Sequence, residues 1–360
     1  MSIVVFIIIL GILVLVHEFG HFIAAKKNGV RVEEFGFGFP PRIFGKKIGE
    51  TIYSLNLFPI GGFVKLFGEE YHELKNENRK LITNDRSRAF VYKKPWQKAT
   101  IIVAGVIGNF LLGWFVISFL FTQGIPTPIH KVLIEKVQPA SPADSAGLQA
   151  KDLIVELRND GKNYKLTSPN DLTILTQKYL DQKVILFIER GNKKFMTELT
   201  PRKNPPKGQG PLGVVITSPF VEKKYPWYQA PFYGLIEAFN ITQKIITELF
   251  KIIYQLITLQ KPKVDVAGPI GIAQYTGQAI KFGKNAVLEL LALLSLNLAV
   301  INILPFPALD GGRMIFVLYE WVTKKRSNQT FEKYLNIAGF ALLLTLAVLV
   351  SINDLIKIYK

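Results

Sequence analysis

His17 and His21 stand four residues apart in the run His17-Glu18-Phe19-Gly20-His21. On a helix that spacing puts both imidazoles on one face, a turn apart, where they can share one tetrahedral Zn²⁺. Glu18 falls on the adjoining face and is the candidate general base for a water activated by the metal. The chemistry this supports is metal-assisted hydrolysis. A chance HExxH at a helix end is the bland alternative. This one lies inside a strongly apolar stretch, where each ionisable group costs about 2.5–3.5 kcal/mol on insertion scales, so retention without a partner is disfavoured.

Two histidines need a third protein ligand to make an open catalytic site. The other polar break in the apolar segments is Asn302-Ile303-Leu304-Pro305-Phe306-Pro307-Ala308-Leu309-Asp310-Gly311-Gly312. Pro305 and Pro307 cannot continue a regular helix, and Gly311-Gly312 permit a tight path. Asp310 can therefore be aimed at the metal from unwound chain, which is tolerated at that depth where protein or water surrounds it. The competing reading is an interfacial turn with a solvated Asp. Zn²⁺, two neutral histidines, Asp310 and ionised Glu18 sum to zero charge, which suits a site of low dielectric.

These residues must be positioned by membrane helices. Ile3–Ala25, Ile101–Thr122, Val287–Leu304 and Leu335–Ile352 are each near the roughly 20 apolar residues that span a hydrocarbon core. The first lacks the basic start and small-residue cleavage site of a signal peptide. Basic residues cluster after the first span (Lys26, Lys27, Arg31), before the second (Lys93, Lys94, Lys98) and between the last two (Lys324, Lys325, Arg326, Lys333). The positive-inside rule then puts 26–98 and 305–334 in the cytoplasm, with both termini and 124–286 outside. Within 231–259, Glu237, Lys244, Glu248, Lys251 and Gln255 form one charged stripe, as expected for an amphipathic helix on the membrane surface. A fifth span there would also separate His17 from Asp310 across the bilayer. The net charge of +17 reads as topology signal and lipid-facing Lys/Arg, not as a nucleic-acid surface. With no cysteine, a disulfide framework or a Cys-based metal site is excluded.

Tyr53–Phe58 and Phe63–Phe67 read as strands on either side of Pro59-Ile60-Gly61-Gly62, a hairpin signal. An unpaired edge there, around Gly61, Gly62 and Phe63, could take an unwound substrate by β-addition, or the hairpin could merely pack on the membrane. Residues 127–203 have soluble composition. Strands are expected at Lys131–Val137, Leu153–Leu157, Val184–Arg190 and Lys194–Thr200. A short helix capped by Ser141 and a second over Asn170–Tyr179 complete the region. Arg202–Gln209 reads as a linker out of it, and Gly268-Pro269-Ile270-Gly271 as a rigid loop leading to the third span.

HEFGH at 17–21, GFGFPP at 36–41, PIGGFVKL at 59–66, GVIGNF at 105–110, GPIGIA at 268–273 and NILPFPALDGG at 302–312 together resemble the site-2 protease family, of the bacterial regulator-of-sigma-E protease type. The resemblance spans nearly the whole chain. It implies His17, His21 and Asp310 as ligands of one Zn²⁺ and Glu18 as catalytic base. It also implies a bacterial inner-membrane location and cleavage of single-pass proteins within their transmembrane segments, for example an anti-sigma factor or a signal-peptide remnant. It places a membrane-associated β-loop at the hairpin, and Asn302 near the substrate or oxyanion, a residue that could equally be a helix C-cap. Asn109 and Pro305 join Asn302 as substrate-side candidates, with helix–helix hydrogen bonding the competitor for Asn109. Val106 departs from the family's Pro before Asn109, so any helix break there would come from Gly105 or Gly108. The run PASPADSAGLQAKDLIVEL resembles a PDZ domain, in one copy, serving as a peptide-binding gate or as a size filter.

The expected protein is therefore a polytopic α-helical membrane protein with four transmembrane helices, a membrane-associated β-hairpin and one inserted extracytoplasmic α+β PDZ domain. Its divisions are 1–126 (first membrane half), 127–203 (PDZ), 204–286 (linker, amphipathic helix and GPIG loop) and 287–360 (second membrane half), with the site near the cytoplasmic face. Its partners would be single-pass substrates, membrane lipid and a PDZ peptide ligand. An inert membrane scaffold using the PDZ domain is the alternative, but it has no need of His17, Glu18, His21 and Asp310 together. A metal transporter would need more intramembrane acids or histidines, and His72 and His130 fall outside the spans.

Overall fold

Runs of Ile, Leu and Val, with proline confined to the first position of one of them, give four helices among the described residues that are long and apolar enough to cross a membrane. They are α1 (Ser2–Lys27), α2 (Pro95–Gln123), α7 (Lys284–Ile303) and α9 (Gln329–Tyr359). All four coincide with the expected spans, and each satisfies its backbone internally, as a bilayer demands. The computed structural model describes residues 2–69, 86–129, 131–206, 208–258, 260 and 267–359; His72 and His130 lie outside the described residues. The chain forms two compact units, Met1–Gln123 with Tyr225–Lys360, and Gly124–Lys224.

In the first unit, β1 (Val32–Ile48) and β2 (Thr51–Leu66) are long, bent strands turning at Gly49-Glu50. Their register divides them into four segments. Residues 42–48 pair with 56–51, and 34–37 pair with 65–62, in opposite directions. On its other side 34–37 pairs with 52–55, the partners ascending together. The sheet therefore runs 61–66, 32–39, 51–58, 42–48 across its width. This corrects the expected hairpin: 53–58 and 63–66 are both strands, but 32–37 lies between them. Gly36, Gly38, Pro40 and Pro41 carry turn-forming chemistry, which hid β1 from a pattern reading. Phe39, Ile43, Phe44, Ile48, Leu57 and Phe58 are all more than half exposed, an apolar surface suited to lipid.

Among the described residues, three further α-helices belong to this unit. α5 (Ala230–Ile257) carries the charged stripe and packs on α2 and α7. α6 (Pro269–Phe282) replaces the loop expected at 268–271. Gly268 is its N-cap and Pro269 its first residue, where a missing N–H costs nothing. The amides of Gly268 and Gly271 donate to Asp354 Oδ2 of α9 at 2.9 and 2.8 Å. α8 (Asp310–Thr323) follows the Pro-broken segment 304–309.

The second unit holds β3 (Ile125–Pro128), β4 (Val132–Val137), α3 (Pro142–Ser145), β5 (Leu153–Asn159), β6 (Lys162–Lys165) and α4 (Pro169–Lys178). It continues with β7 (Val184–Arg190), β8 (Lys193–Leu199), β9 (Val214–Thr217) and β10 (Phe220–Lys223). The main sheet runs β8-β7-β5-β4-β9 with β6 on β5, and β3 pairs with β10. Val132, Ile134, Ile154, Leu157, Leu172, Leu186 and Ile188 fill its core. Ser168 and Asp171 cap α4 reciprocally, and the Thr167 hydroxyl and amide hold the Asp171 carboxyl below its usual range. The expected strands and helices all occur here. The unit reaches Lys224, beyond the expected boundary at 203, because the chain turns back after Arg202 and adds β9 to β4. The described residues of the expected linker thus belong to the unit, the Arg202 amide bonded to the Pro211 carbonyl.

Candidate metal centre

α1 carries His17, Glu18 and His21, and α2 crosses it at very close range. Gly20 leaves no room for a Cβ against the Ala104 carbonyl, and Gly105 lies directly on the two imidazoles. Small residues at a helix crossing let membrane backbones approach. α2 is unbroken from Pro95 to Gln123, so with Val106 in place no helix break occurs, and Gly105 and Gly108 serve this close approach.

The carbonyl of Ile101 accepts from His21 Nδ1 at 2.8 Å. A carbonyl cannot donate, so Nδ1 carries the proton and Nε2 presents its lone pair. His17 is similarly held: its Nδ1 lies 3.2 Å from the carboxamide of Asn109, a residue with no solvent exposure. The Oδ1 of Asn109 is buried without a partner, and a half-turn of the amide would make it the acceptor of the Nδ1 proton. Ser295 of α7 fixes the same turn of α2 by donating to the Asn109 carbonyl at 2.7 Å.

α7 ends at Ile303, and after six intervening residues Asp310 opens α8. It stands at the first helical position, where a carboxylate is favoured. Unwound chain leads to it as expected, but the residue itself is helical. The return is tight: Gly311 abuts the carbonyls of Ile303 and Leu304, where no side chain would fit. Asn336 of α9 anchors the segment by accepting from the Ala308 amide at 3.1 Å.

Asp310 Oδ2 lies 3.1 Å from His17 Nε2 and 3.2 Å from His21 Nε2, and the two Nε2 atoms are 3.2 Å apart. Tetrahedral bonds of about 2.0–2.1 Å require ligand atoms about 3.3 Å from one another. The triangle fits one face of such a tetrahedron. Oδ2 is also buried and has no hydrogen-bond partner besides these rings. Among the described residues, these three side chains form the group able to hold a metal ion.

Of the substrate-side candidates, Asn109 and Asn302 reach the cluster, Asn302 Nδ2 lying 3.4 Å from His17 Nε2. Gly62 lies beside the base: a Cβ there would meet Val14 and come 3.2 Å from Glu18 Cγ. Gly61 faces the Phe39 ring and Phe63 covers Gly36, both within the sheet. Pro305 is exposed in the 304–309 segment. Pattern reading missed the Ile101 carbonyl, which has no sequence signal. It also missed the ion pair of Lys98 with Glu320, at 2.7 Å between α2 and α8; a lysine at the head of an apolar span was its only clue.

A helical membrane bundle with a His-His-Asp cluster and an adjoining glutamate defines a class, the membrane metalloproteases. The chain belongs to peptidase family M50, the site-2 proteases, whose model matches residues 5–346. It is 36% identical over 346 residues to a Clostridium perfringens protein provisionally named a zinc metalloprotease, covering 96% of this chain and 95% of that one. It is 30% identical to the zinc metalloprotease RasP of Bacillus licheniformis, covering 99% of each. A similarly named Staphylococcus aureus protein is 28% identical, with 98% of each covered. The protein is a multi-pass membrane zinc metalloprotease, and its cofactor is Zn²⁺.

Proposed function

We propose that this enzyme cuts single-pass membrane proteins within their transmembrane segments, using one Zn²⁺ held by His17, His21 and Asp310 and Glu18 as general base. The observation that carries this reading is the Nε2–Nε2–Oδ2 triangle, set among membrane helices. Zinc held there supplies Lewis-acid chemistry, polarising the scissile carbonyl and making water acidic enough to deprotonate near neutral pH. The Glu18 carboxylate takes the water proton and delivers it to the leaving amide nitrogen. Asn109 and the Ile101 carbonyl hold the imidazoles in the required tautomers.

A helical substrate must unwind before its amide can be attacked. Segment 61–66 is the outermost strand of the sheet on the side of α1, and Gly62 brings it alongside Glu18. Substrate added to this edge as a further strand would run past the base, with Asn302 next to His17 on the opposite flank. The substrates are regulated signalling proteins such as an anti-sigma factor, or signal-peptide remnants.

The enzyme sits in a bacterial inner membrane with its site near the cytoplasmic face and both termini outside. Unit Gly124–Lys224 is an extracytoplasmic PDZ module, supported by its strand and helix order and by β9 at a sheet edge. It screens substrates by taking a peptide on that edge or by excluding bulky external domains. The deciding experiment reconstitutes the full chain with a single-pass reporter and maps the new termini by mass spectrometry. Termini inside the apolar segment are expected; cuts only in the flanking soluble regions would refute intramembrane cleavage.

A further inference from the structure

α2 carries an apolar groove on the face turned away from the metal site. It is lined by Leu111, Trp114, Phe115, Phe119 and Thr122, and flanked by Trp227, Ala230 and Pro231 where the chain enters α5, with a volume of about 460 Å³. The two sides of the groove are tied to each other. Tyr225 donates its amide to the Phe121 carbonyl at 2.9 Å and stacks on Tyr233 with ring centroids 4.2 Å apart. Gly234 presses on Ser118.

The groove offers nothing to a polar ligand. Trp114 Nε1 donates to the Pro231 carbonyl at 2.8 Å, Ser118 Oγ to the Trp114 carbonyl at 2.7 Å and Thr122 Oγ1 to the Phe119 carbonyl at 2.7 Å. These donors are already spent inside the protein, so the ligand must be a chain of methylenes. Length points the same way. From Leu111 to Thr122 the helix rises about 16 Å at 1.5 Å per residue, and one leaflet of hydrocarbon is about 15 Å deep, half of a core of about 30 Å. The groove ends where α2 ends, at Gln123, and Trp227, 80% exposed, stands at its mouth beside Tyr228. Aromatic residues at that level mark the membrane–water interface.

We infer that this groove is a binding site for a single phospholipid acyl chain, drawn from the leaflet at the C-terminal end of α2. It differs from general lipid contact in being a groove of limited capacity, about 460 Å³, so occupancy saturates. The helix against which the chain lies, α2, also carries the Ile101 carbonyl and Asn109 that hold the two imidazoles.

The chain contains four tryptophans, which permits a direct test. Trp96→Phe/Trp321→Phe leaves only the groove indoles; Trp114→Phe/Trp227→Phe leaves only Trp96 and Trp321, which are 49% and 54% exposed elsewhere. Each full-length protein in detergent is titrated with lysophosphatidylcholine brominated on its acyl chain, and in a second arm with the brominated free fatty acid. Quenching of the groove pair should saturate and be reversed by unbrominated lysophosphatidylcholine, while the reference pair is quenched in linear proportion to probe. Phe115→Asn, at an exposed position, should weaken the saturable component and leave the protein's helix content unchanged. Equal efficacy of the fatty acid would show that the chain alone is recognised; preference for the lysolipid would add a headgroup contact at the mouth. Linear, equal quenching in both proteins would overturn the site. Displacement by a polyleucine transmembrane peptide at lower concentration than by lysophosphatidylcholine would also overturn it, by making the groove a helix-docking surface.

Discussion

The missing side chain of Gly105 would occupy the space taken by Nε2 of His21, and would come within 2.8 Å of Cε1 of His17. One residue of α2 thereby sets how near the two helices stand and leaves the imidazoles free to converge on Asp310. Alanine is the better helix former by about 1 kcal/mol, so Gly105→Ala on its own would favour α2. The added methyl has rigid backbone behind it and the rings in front. We expect this variant to keep its helix content by circular dichroism and to lose most of its zinc by elemental analysis. Zinc at the wild-type level would mean that the rings move aside without cost.

Binding and chemistry should separate at neighbouring positions. Glu18→Gln preserves shape and removes the base, so zinc content should hold while reporter cleavage falls about 10²–10⁴-fold, the usual contribution of general-base catalysis. Residual cleavage near the wild-type rate would remove Glu18 from that role.

His17→Ala and Asp310→Ala each remove one corner of the ligand triangle. Both should lower zinc content together with activity, and Asp310→Ala also deletes the carboxylate that faces two imidazoles at 3.1 and 3.2 Å. Full zinc occupancy in both variants would place the metal elsewhere.

How much of this was legible in the sequence follows from which forces are local. His17, Glu18 and His21 could be read because helical spacing is fixed and charged groups in apolar spans are costly. Asp310 could be read because Pro305 and Pro307 announce a broken helix. Strand β1 could not: Gly36, Gly38, Pro40 and Pro41 look like a loop, and only pairing on both sides with distant residues makes 32–37 a central strand. β9 depends in the same way on β4, some 80 residues earlier. The Ile101 carbonyl that sets the His21 tautomer belongs to the backbone, and no side-chain pattern can announce it.

The turn between β1 and β2 gives a pH-dependent prediction. Arg88 Nη2 donates to both carboxylate oxygens of Glu50 at 2.7 and 2.6 Å, and Lys26, at the end of α1, adds a bond of 3.0 Å. The Arg88 guanidinium, followed by Lys26, holds the Glu50 carboxyl below its ordinary value of 4.5. A carboxyl lowered by folding stabilises fully above its unfolded value and loses that contribution as pH falls through the folded one. The group is about a third exposed, so screening keeps its worth below about 1 kcal/mol. Wild type should therefore unfold at a higher temperature than Glu50→Gln near neutral pH, and the difference should shrink as pH drops below 4.5. A constant difference would assign the effect to packing and not to charge.

Asp354 is a test of how the last helix supports the rest. Its side chain is buried, 5% exposed, within the apolar α9, and its Oδ2 accepts from both Gly268 and Gly271 at the first turn of α6. Those amides have no partner within their own helix. Gly268 and Gly271 both lie against Asp354, so the carboxylate fits closely and has little room to be replaced by solvent. Removing it strands two buried donors, a loss of about 1–3 kcal/mol for each donor left without an acceptor. Asp354→Ala should lower the unfolding midpoint of the detergent-solubilised protein clearly. Asp354→Asn keeps one acceptor oxygen and should recover part of the loss. If alanine and asparagine leave the midpoint unchanged, water must reach this turn and replace the carboxylate. Zinc content should stay near wild type in both variants, because Asp354 touches α6 and none of the three groups that converge at the metal centre.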